Sequence, residues 1–284
     1  MIAVVSVTGL ATVQDGGRAG RMHEGVPPGG PLVPELLARA NAAVRNGPGE
    51  AAIEVLGAIT VAVHGPGGAI LVASDDGEPH ALRSGAVLRV GADRARVRYL
   101  AVRGGLDVPC VLGGRGTLLA AALGGLEGRP LQRGDAIAVG RAPERGAEPP
   151  SPPDLAAPVR VVPGPDLDRF DGAALATLLA SAYTVDARSD RMGVRLAGPA
   201  VARVGSDSGV STPMVRGAVQ IPPAGMPIVL GPDHPTVGGY PVLATVVRAD
   251  LGTLCARPAG APVRFSAWTP EGASPRTRRA TPGH

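Results

Sequence analysis

The sequence predicts a mainly β protein in which many short strands alternate with tight turns and only a few helices occur. Glycine and proline account for 42 and 30 of the 284 residues, and they interrupt short runs of valine, isoleucine and leucine. Turn residues between such runs are typical of strands. Aromatic residues make up only 2% of the chain, so we expect a core of aliphatic side chains.

The length of 284 residues favours two domains over one. The clearest boundary is a stretch at residues 143–158 with six prolines, which favour an extended and solvated backbone. We therefore predict a first β-barrel domain at residues 1–142, a linker at 143–158, a second domain at 159–268 and a disordered tail at 269–284.

Strand signals dominate the first half of the chain. Residues 58–72 form a strand, a glycine turn and a second strand, and residues 95–103 add another β-branched run. Two similar segments, LRSGAVLRVG from Leu82 and LQRGDAIAVG from Leu131, each place a polar-glycine turn before an alternating strand. Such similar strand entries are expected in a barrel.

Helical periodicity is limited to two segments. Residues 34–46 begin with proline and end near Gly47, and their apolar residues share one face. Residues 168–183 begin with acidic side chains, which the helix dipole favours at that end. Both are predicted to be packing helices.

All 28 positive charges are arginines, because the sequence contains no lysine. A phosphate-loop lysine, a Schiff-base lysine and a biotinylated lysine are therefore excluded for this chain. The net charge is only +4, the arginines are scattered and aromatic residues are rare, so nucleic-acid binding is not expected.

Metal and membrane sites are not expected either. The five histidines never fall at metal-ligand spacing, and the two cysteines form no paired motif. No segment approaches 18 uninterrupted apolar residues, and the N-terminus has no basic leader. We expect a cytoplasmic protein.

Six compact segments mix glycine, proline, charged residues and tyrosine between apolar runs. They lie at residues 14–20, 25–31, 102–109, 188–196, 217–228 and 233–246. Each one alone is compatible with ordinary turn chemistry. Together they are candidates for a site, because polar loops on a rigid barrel commonly carry function.

In their order and separation, these six segments resemble the family of allophanate hydrolase subunit 2 and the C-subunit of 5-oxoprolinase, which is related to the carboxyltransferase domain of urea carboxylase. The resemblance covers about residues 9–265. It implies two cyclophilin-like β-barrel domains and a hetero-oligomer with a homologue of subunit 1, which corresponds to the B-subunit of 5-oxoprolinase. In the 5-oxoprolinase arrangement a third subunit joins, and the complex uses ATP to open a small amide or lactam, 5-oxoproline, to glutamate.

The resemblance also implies the site residues. Matches to the S-D-R-M-G-x-R and G-G-Y-P segments predict three catalytic residues, Asp190, Arg191 and Tyr240. The predicted substrate- or anion-binding residues are Asp15, Arg18, Arg103, Asp107, Arg195, Gln220, Asp233, Thr236, Gly238 and Gly239. Arginine forks and paired glycines suit carboxylates and phosphates. ATP would be bound by the complex, and no biotin would be attached to this chain.

The chain departs from the family pattern at several polar loop positions. At these positions the chain has residues without a polar side chain: Gly29, Val33, Gly114, Gly116, Leu118, Met226, Pro235 and Val237. These losses suggest altered substrate choice or weakened chemistry. Two alternatives therefore stay open: a biotin-dependent carboxyltransferase subunit, and a non-catalytic regulatory module paired with the subunit 1 homologue.

Overall fold

The computed structural model describes residues 1–65, 69–91, 95–142, 146, 148–204 and 210–269. Strands dominate, and the prediction of a mainly β protein with few short helices is confirmed. The predicted tail lies outside the described residues from position 270 onward, as do positions 143–145 and 147 of the predicted linker.

The first unit is a curled eight-stranded sheet. Its strands are β1 (Ile2–Gln14), β2 (Ala52–Val63), β3 (Ile70–Ser74), β4 (Pro79–Leu82), β5 (Val87–Gly91), β6 (Arg98–Val102), β7 (Leu106–Asp107) and β8 (Ala136–Val139). They are ordered β4-β3-β6-β2-β1-β8-β7, and β5 pairs with β2. The two similar segments found in the sequence supply β5 and β8.

The second unit is a closed seven-stranded barrel. The strands of this half are β9 (Val159–Pro163), β10 (Ala182–Val185), β11 (Gly193–Ala197), β12 (Thr212–Pro213), β13 (Ala218–Gln220), β14 (Ile228–Leu230), β15 (Val237–Gly238), β16 (Val242–Val246) and β17 (Pro262–Ala267). The barrel order is β10-β11-β14-β13-β16-β9-β17, while β12 and β15 form a separate two-stranded ribbon. Only the pairing of β17 with β9 is parallel within the barrel.

Strands β1 and β2 form a long antiparallel pair that continues from Ile2 opposite Val63 to Gln14 opposite Ala52. Gly9 faces Gly57 near its middle, and both have positive φ, 83° and 128°. A Cβ at either position would collide with the backbone of the other strand. The glycines therefore allow the ribbon to bend and curl around its core.

The described part of the chain also contains three short α-helices: α1 (Pro34–Ala43), α2 (Ala174–Ala180) and α3 (Leu251–Cys255). The helix predicted at residues 34–46 is confirmed and starts at its proline. The prediction for residues 168–183 is only partly right: a 3-10 turn covers Leu167–Arg169, α2 ends at Ala180, and Tyr183 belongs to β10. Tyr183 and Val185 point into the barrel, so strand pairing outweighs the helical pattern there.

One hydrophobic cluster crosses from the first unit into the second. Leu37 and Ala40 of α1 and Tyr99 of β6 belong to the same buried cluster as Val161 and Leu243 of the barrel. A second cluster fills the first sheet alone. The two units therefore share a core. Among the described residues, no helix is long and apolar enough to cross a membrane.

Candidate functional site

Asp15 and Arg18 follow β1 and hold a loop of the first unit. The Asp15 carboxylate accepts hydrogen bonds from the backbone N–H groups of Arg115 and Gly116 at 2.6 and 3.1 Å. The buried Arg18 guanidinium donates to the carbonyl oxygens of Val111 and Gly116 at 2.9 and 2.6 Å. These bonds hold the loop at residues 111–116 against the segment that follows β1.

The packing around Arg18 explains two departures from the family pattern. A Cβ at Gly114 would lie 2.8 Å from Cγ of Arg18, and one at Gly116 would lie 2.8 Å from Oε1 of Gln14. A larger residue at either position would push these buried side chains away. The two glycines therefore fit the close approach of this loop.

Arg191, before β11, lies in a buried junction between the two units and is only 4% exposed. Its guanidinium donates twice to the Asp233 carboxylate at 2.7 and 2.9 Å, to Gly30 O at 2.7 Å, and to Oε1 of Glu54. Burial alone would lower the pKa of Arg191, but the carboxylates of Glu54 and Asp233 raise it above its usual value. The arginine stays charged and faces protein groups.

Glu54 extends this junction into the first sheet. Its Oε2 accepts hydrogen bonds from the backbone N–H of Leu32 at 2.7 Å and from the Tyr99 hydroxyl at 2.6 Å. The Val33 N–H donates to the same hydroxyl at 3.0 Å. Burial and the Glu54 charge raise the pKa of Tyr99 well above 10.0. Sequence analysis did not identify Glu54, the one charged residue of β2.

Asp190, predicted as catalytic, does not pair with its neighbour Arg191. Its Oδ1 accepts hydrogen bonds from the backbone N–H groups of Met192 and Gly193 at 2.9 and 3.1 Å. The residue is exposed and closes the turn that leads into β11.

Tyr240 and Gln220 lie beside the β12/β15 ribbon. Tyr240 is 44% exposed, and its carbonyl oxygen accepts a 3.3 Å hydrogen bond from Gln220 Nε2. The same amide nitrogen lies 3.1 Å from the sulfur of Met214, whose N–H donates to Thr236 O at 2.9 Å. The neighbouring predicted residues Thr236, Gly238 and Gly239 are partly buried.

Three further predicted residues lie elsewhere. Arg103 donates to Val44 O at 3.3 Å, and the exposed Asp107 lies 3.8 Å from Arg115. Arg195 lines a pocket of about 350 Å³ on the outside of the barrel. The structure therefore does not gather all the predicted residues into one site.

The loops of Arg18 and Asp233 do converge at Gly29. A Cβ at Gly29 would lie 3.8 Å from Nη1 of Arg18 and 4.0 Å from Oδ1 of Asp233. Gly29 lines a cleft of about 980 Å³ between the two units. Of the predicted residues, Arg18 and Asp233 thus lie behind the wall of this cleft.

Three charged residues line the cleft itself, and sequence analysis identified none of them. Glu35 is in the first turn of α1, Arg216 precedes β13, and Arg248 begins a 3-10 turn before α3. The only sequence signal is the position of Arg216 next to the segment at 217–228. No group of three or more acidic, histidine or cysteine residues suited to a metal ion occurs in the described ranges.

Arg216 and Glu35 each have an atom without a hydrogen-bond partner. Nη2 of Arg216 donates to the carbonyl oxygens of Pro31 and Leu32 at 3.0 and 2.8 Å, which orients the guanidinium. Its buried Nε has no partner, and neither has the buried Oε2 of Glu35. The Glu35 carboxylate lies directly over Gly252, where any side chain would collide with it. Both atoms are closed to solvent, and the Arg216 guanidinium also lies close to the buried thiol of Cys255.

Comparison with protein families and curated proteins gives consistent matches. The family model "Carboxyltransferase domain, subdomain A and B" matches residues 24–267. The chain is 34% identical to the C-subunit of 5-oxoprolinase from Escherichia coli, and the match covers 93% of this chain and 90% of that protein. It is 30% identical to urea amidolyase of Lachancea kluyveri, over 87% of this chain and 16% of that protein.

Solved structures agree with these matches. Urea amidolyase of K. lactis matches with a TM-score of 0.81 at 27% identity, covering 94% of this chain and 19% of that chain. The protein TTHA0988 matches with a TM-score of 0.79 at 31% identity, covering 93% of this chain and 55% of that chain. The chain therefore spans most of the E. coli protein but about half or less of these longer chains.

Proposed function

The chain belongs to the carboxyltransferase family of subdomains A and B, and on that premise we propose that it is a subunit of an ATP-dependent amidohydrolase complex of the 5-oxoprolinase type. The observation that carries this proposal is the match to the C-subunit of 5-oxoprolinase along 90% of that protein. A match of that extent supports an equivalent place in an assembly.

In this proposal the complex opens the lactam of 5-oxoproline. The C–N bond of the ring breaks, oxygen from water joins the carbonyl carbon as a new carboxylate, and the nitrogen leaves as the amine of glutamate. ATP hydrolysis drives the step and would take place at a nucleotide site of the complex. This chain would contribute the cleft with Glu35, Arg216 and Arg248, and the homologues of the other subunits would complete the active site.

The junction of Arg191, Glu54 and Asp233 would serve as positioning machinery in this scheme. All three nitrogens of the Arg191 guanidinium already bind protein oxygens. A substrate would have to break a buried ion pair to reach them. We therefore assign Arg191 and Asp233 the task of holding the loop at Gly29 against the cleft.

Reconstitution tests the proposal. The chain is purified alone and with homologues of the other two 5-oxoprolinase subunits, and phosphate and glutamate are measured with ATP and 5-oxoproline. We expect no turnover from the chain alone, equal amounts of both products from the complete set, and none when this chain is omitted. A complete, stably assembled complex without 5-oxoproline-dependent phosphate release would refute the substrate, and with no other turnover it would favour the regulatory module.

Carboxyl transfer is the second candidate, because the chain also matches urea amidolyase over 87% of its length. Since the chain has no lysine, biotin would have to arrive on a separate carrier protein. Transfer of labelled carboxyl from a carboxybiotinylated carrier to urea, in the presence of the partner subunit, would support this candidate over amide hydrolysis.

A further inference from the structure

We propose that His234 is an acid-sensitive latch between the two units: when its imidazole takes up a proton, the loop at residues 232–235 moves away from residues 29–32 of the first unit and the cleft opens. This conformational change belongs to the chain itself and does not depend on the reaction of the complex. It follows from the burial of the imidazole, from the charge opposite it and from the contacts of its loop.

The imidazole of His234 is closed off from water, with an exposed fraction of 0%. Its Nδ1 lies 2.8 Å from the carbonyl oxygen of Pro235. Because a carbonyl oxygen only accepts hydrogen bonds, Nδ1 carries the proton and Nε2 is left as an acceptor. Nε2 is buried and has no hydrogen-bond partner among the described residues. The closed junction therefore holds the neutral form of the ring.

Arg216 lies opposite His234, as the register of the β12/β15 ribbon shows. The ribbon is antiparallel and pairs position 213 with position 237. One step further, the N–H of position 214 donates to the carbonyl oxygen of position 236 at 2.9 Å. Two more steps along the same register bring Arg216 to face His234. The guanidinium charge is therefore next to the ring in a buried setting.

The charged groups that face the imidazole are Arg216 on the opposite segment and Asp233 on its own loop. Both carboxylate oxygens of Asp233 are already bound by Arg191, at 2.7 and 2.9 Å. Beyond Arg216 lies the thiol of Cys255, which burial keeps neutral by raising its pKa. A protonated ring would thus meet one cation and a carboxylate that is already paired. A buried charge in such surroundings is costly.

The loop that carries the imidazole is tied directly to the first unit. Pro232 O accepts a hydrogen bond from the N–H of Gly29 at 3.0 Å. The next residue, Asp233, pairs with Arg191, which also donates to Gly30 O at 2.7 Å. The residues just before the imidazole therefore hold the first two residues of the segment at 29–32.

Arg216 holds the other two residues of this segment. Its Nη2 donates to the carbonyl oxygens of residues 31 and 32 at 3.0 and 2.8 Å. The groups on both sides of His234 thus bind residues 29–32, and Gly29 lines the cleft. A charged imidazole is stabilised by water, which it reaches when its loop moves away from Arg216. That movement breaks the bond between Pro232 and Gly29 and opens the cleft.

The direction of the pH dependence follows from proton linkage. Burial lowers the pKa of His234 most and the charge of Arg216 adds to this, while the bond to Pro235 O and the charge of Asp233 offset only part of it. An imidazole in water has a pKa of about 6.5. The closed junction is therefore fully stable above about pH 7 and loses stability as the pH falls below about 6.5. From about pH 7.5 to pH 5.5 the open fraction should rise about fivefold to tenfold.

Hydrogen exchange of the full chain, followed residue by residue by NMR at about pH 7.5, 6.5 and 5.5, tests the inference. The N–H groups of Gly29 and Asp233 report on the junction, since they bond to Pro232 O and Arg191 O. After correction for the intrinsic pH dependence of exchange, their protection should fall about fivefold to tenfold, while the β1/β2 ladder keeps its own. Unchanged protection at the junction, or an equal fall in the ladder, would overturn the latch.

Neutral replacements show whether the imidazole is responsible. His234→Gln and His234→Leu cannot take up the proton, so the change in junction protection between the two pH extremes should shrink to less than about twofold. His80→Gln, an exposed histidine on β4, is the matched control and should keep the full change. Each variant is compared with itself at another pH, so a general loss of stability does not affect the result. Full pH dependence in either neutral replacement contradicts the role of His234.

If neither replacement folds, the pH profile of the unmodified chain decides. Opening caused by an imidazole begins near pH 6.5, whereas opening caused by carboxylates begins only near pH 4. A loss of protection at Gly29 and Asp233 that starts near pH 6.5 supports the latch. A loss that starts only near pH 4 would assign the change to carboxylates and overturn it.

Discussion

Arg191 joins two acidic side chains from opposite units in a buried network. Glu54 comes from β2 of the first sheet and Asp233 from the loop after β14 of the barrel. Removing the arginine leaves two buried carboxylates without a counter-charge. We expect Arg191→Met to lower the free energy of unfolding by about 3–5 kcal/mol in urea denaturation. Arg264→Gln is the matched control and should stay within about 0.5 kcal/mol of the unmodified chain.

Tyr240 has the opposite character, because its side chain is exposed and its ring is available to a partner or a substrate. Tyr240→Phe should leave the free energy of unfolding unchanged within about 0.5 kcal/mol. If the hydroxyl takes part in proton transfer, kcat of the reconstituted complex falls by a factor on the order of 100 with little change in KM. Unchanged kcat would remove Tyr240 from the predicted catalytic residues.

At the scale of elements, Gly252 couples α3 to α1. The Glu35 carboxylate lies where a Cβ at position 252 would be. Because the obstructing atoms are the end of a flexible side chain, we expect Gly252→Ala to fold and to displace the carboxylate from the cleft. Stability should change little, since alanine also favours the helix by about 1 kcal/mol. Urea denaturation followed by circular dichroism checks this, and a loss of more than about 2 kcal/mol would show that the Glu35 carboxylate cannot move aside.

Asp250 ties the 3-10 turn before α3 to β9. Its carboxylate accepts three hydrogen bonds from Arg160, from the backbone N–H, Nε and Nη2, at 2.8, 2.9 and 2.7 Å. Burial raises the pKa of Asp250, but the bonds from Arg160 outweigh it and the pKa is below its usual 3.8. The folded state therefore binds the proton less readily than the unfolded chain.

It follows that Asp250 contributes stability above about pH 4 and that this contribution is lost as the pH falls below that value. Asp250→Asn should lower stability at pH 7 and reduce the loss of stability between about pH 4 and pH 2. Urea midpoints measured across this range provide the check. If the urea midpoints of the two proteins fall by the same amount between about pH 4 and pH 2, Asp250 does not cause the loss of stability.

Sequence signals predict these elements to different degrees. Proline and glycine punctuation indicates the strands and the start of α1 because turn geometry is local. The pattern at residues 168–183 overextends the helix, because the pairing of β10 with β11 and β17 is decided by distant residues. Residue types alone do not reveal which strands meet.

At the scale of the whole molecule, the sequence likewise predicts only part of the candidate site. Motifs indicate Arg18 and Asp233, which the fold brings to the two sides of Gly29. They do not indicate Glu35 or Arg216, whose surroundings form only when α1 packs against the barrel. Arg216 binds carbonyl oxygens more than 180 positions earlier in the chain. Such contacts leave no local pattern.

Because the two units share one buried cluster, we expect them to unfold together. Trp268, the single tryptophan, follows β17, and its backbone N–H donates to Val161 O, so its fluorescence reports on the barrel. Far-UV circular dichroism reports on both units. The two urea transitions should have coincident midpoints. A fluorescence midpoint clearly separate from the dichroism midpoint would show that the units unfold independently.

The junction of Glu54, Arg191 and Asp233 also constrains how the chain can change through evolution. The Arg191 guanidinium pairs with a carboxylate from each half of the chain. A substitution at any of the three positions therefore leaves an unpaired buried charge until the others change as well. The three positions should therefore vary together among relatives. Chimaeras that exchange one half between distant relatives should fold only when the exchanged half brings compatible residues at these positions.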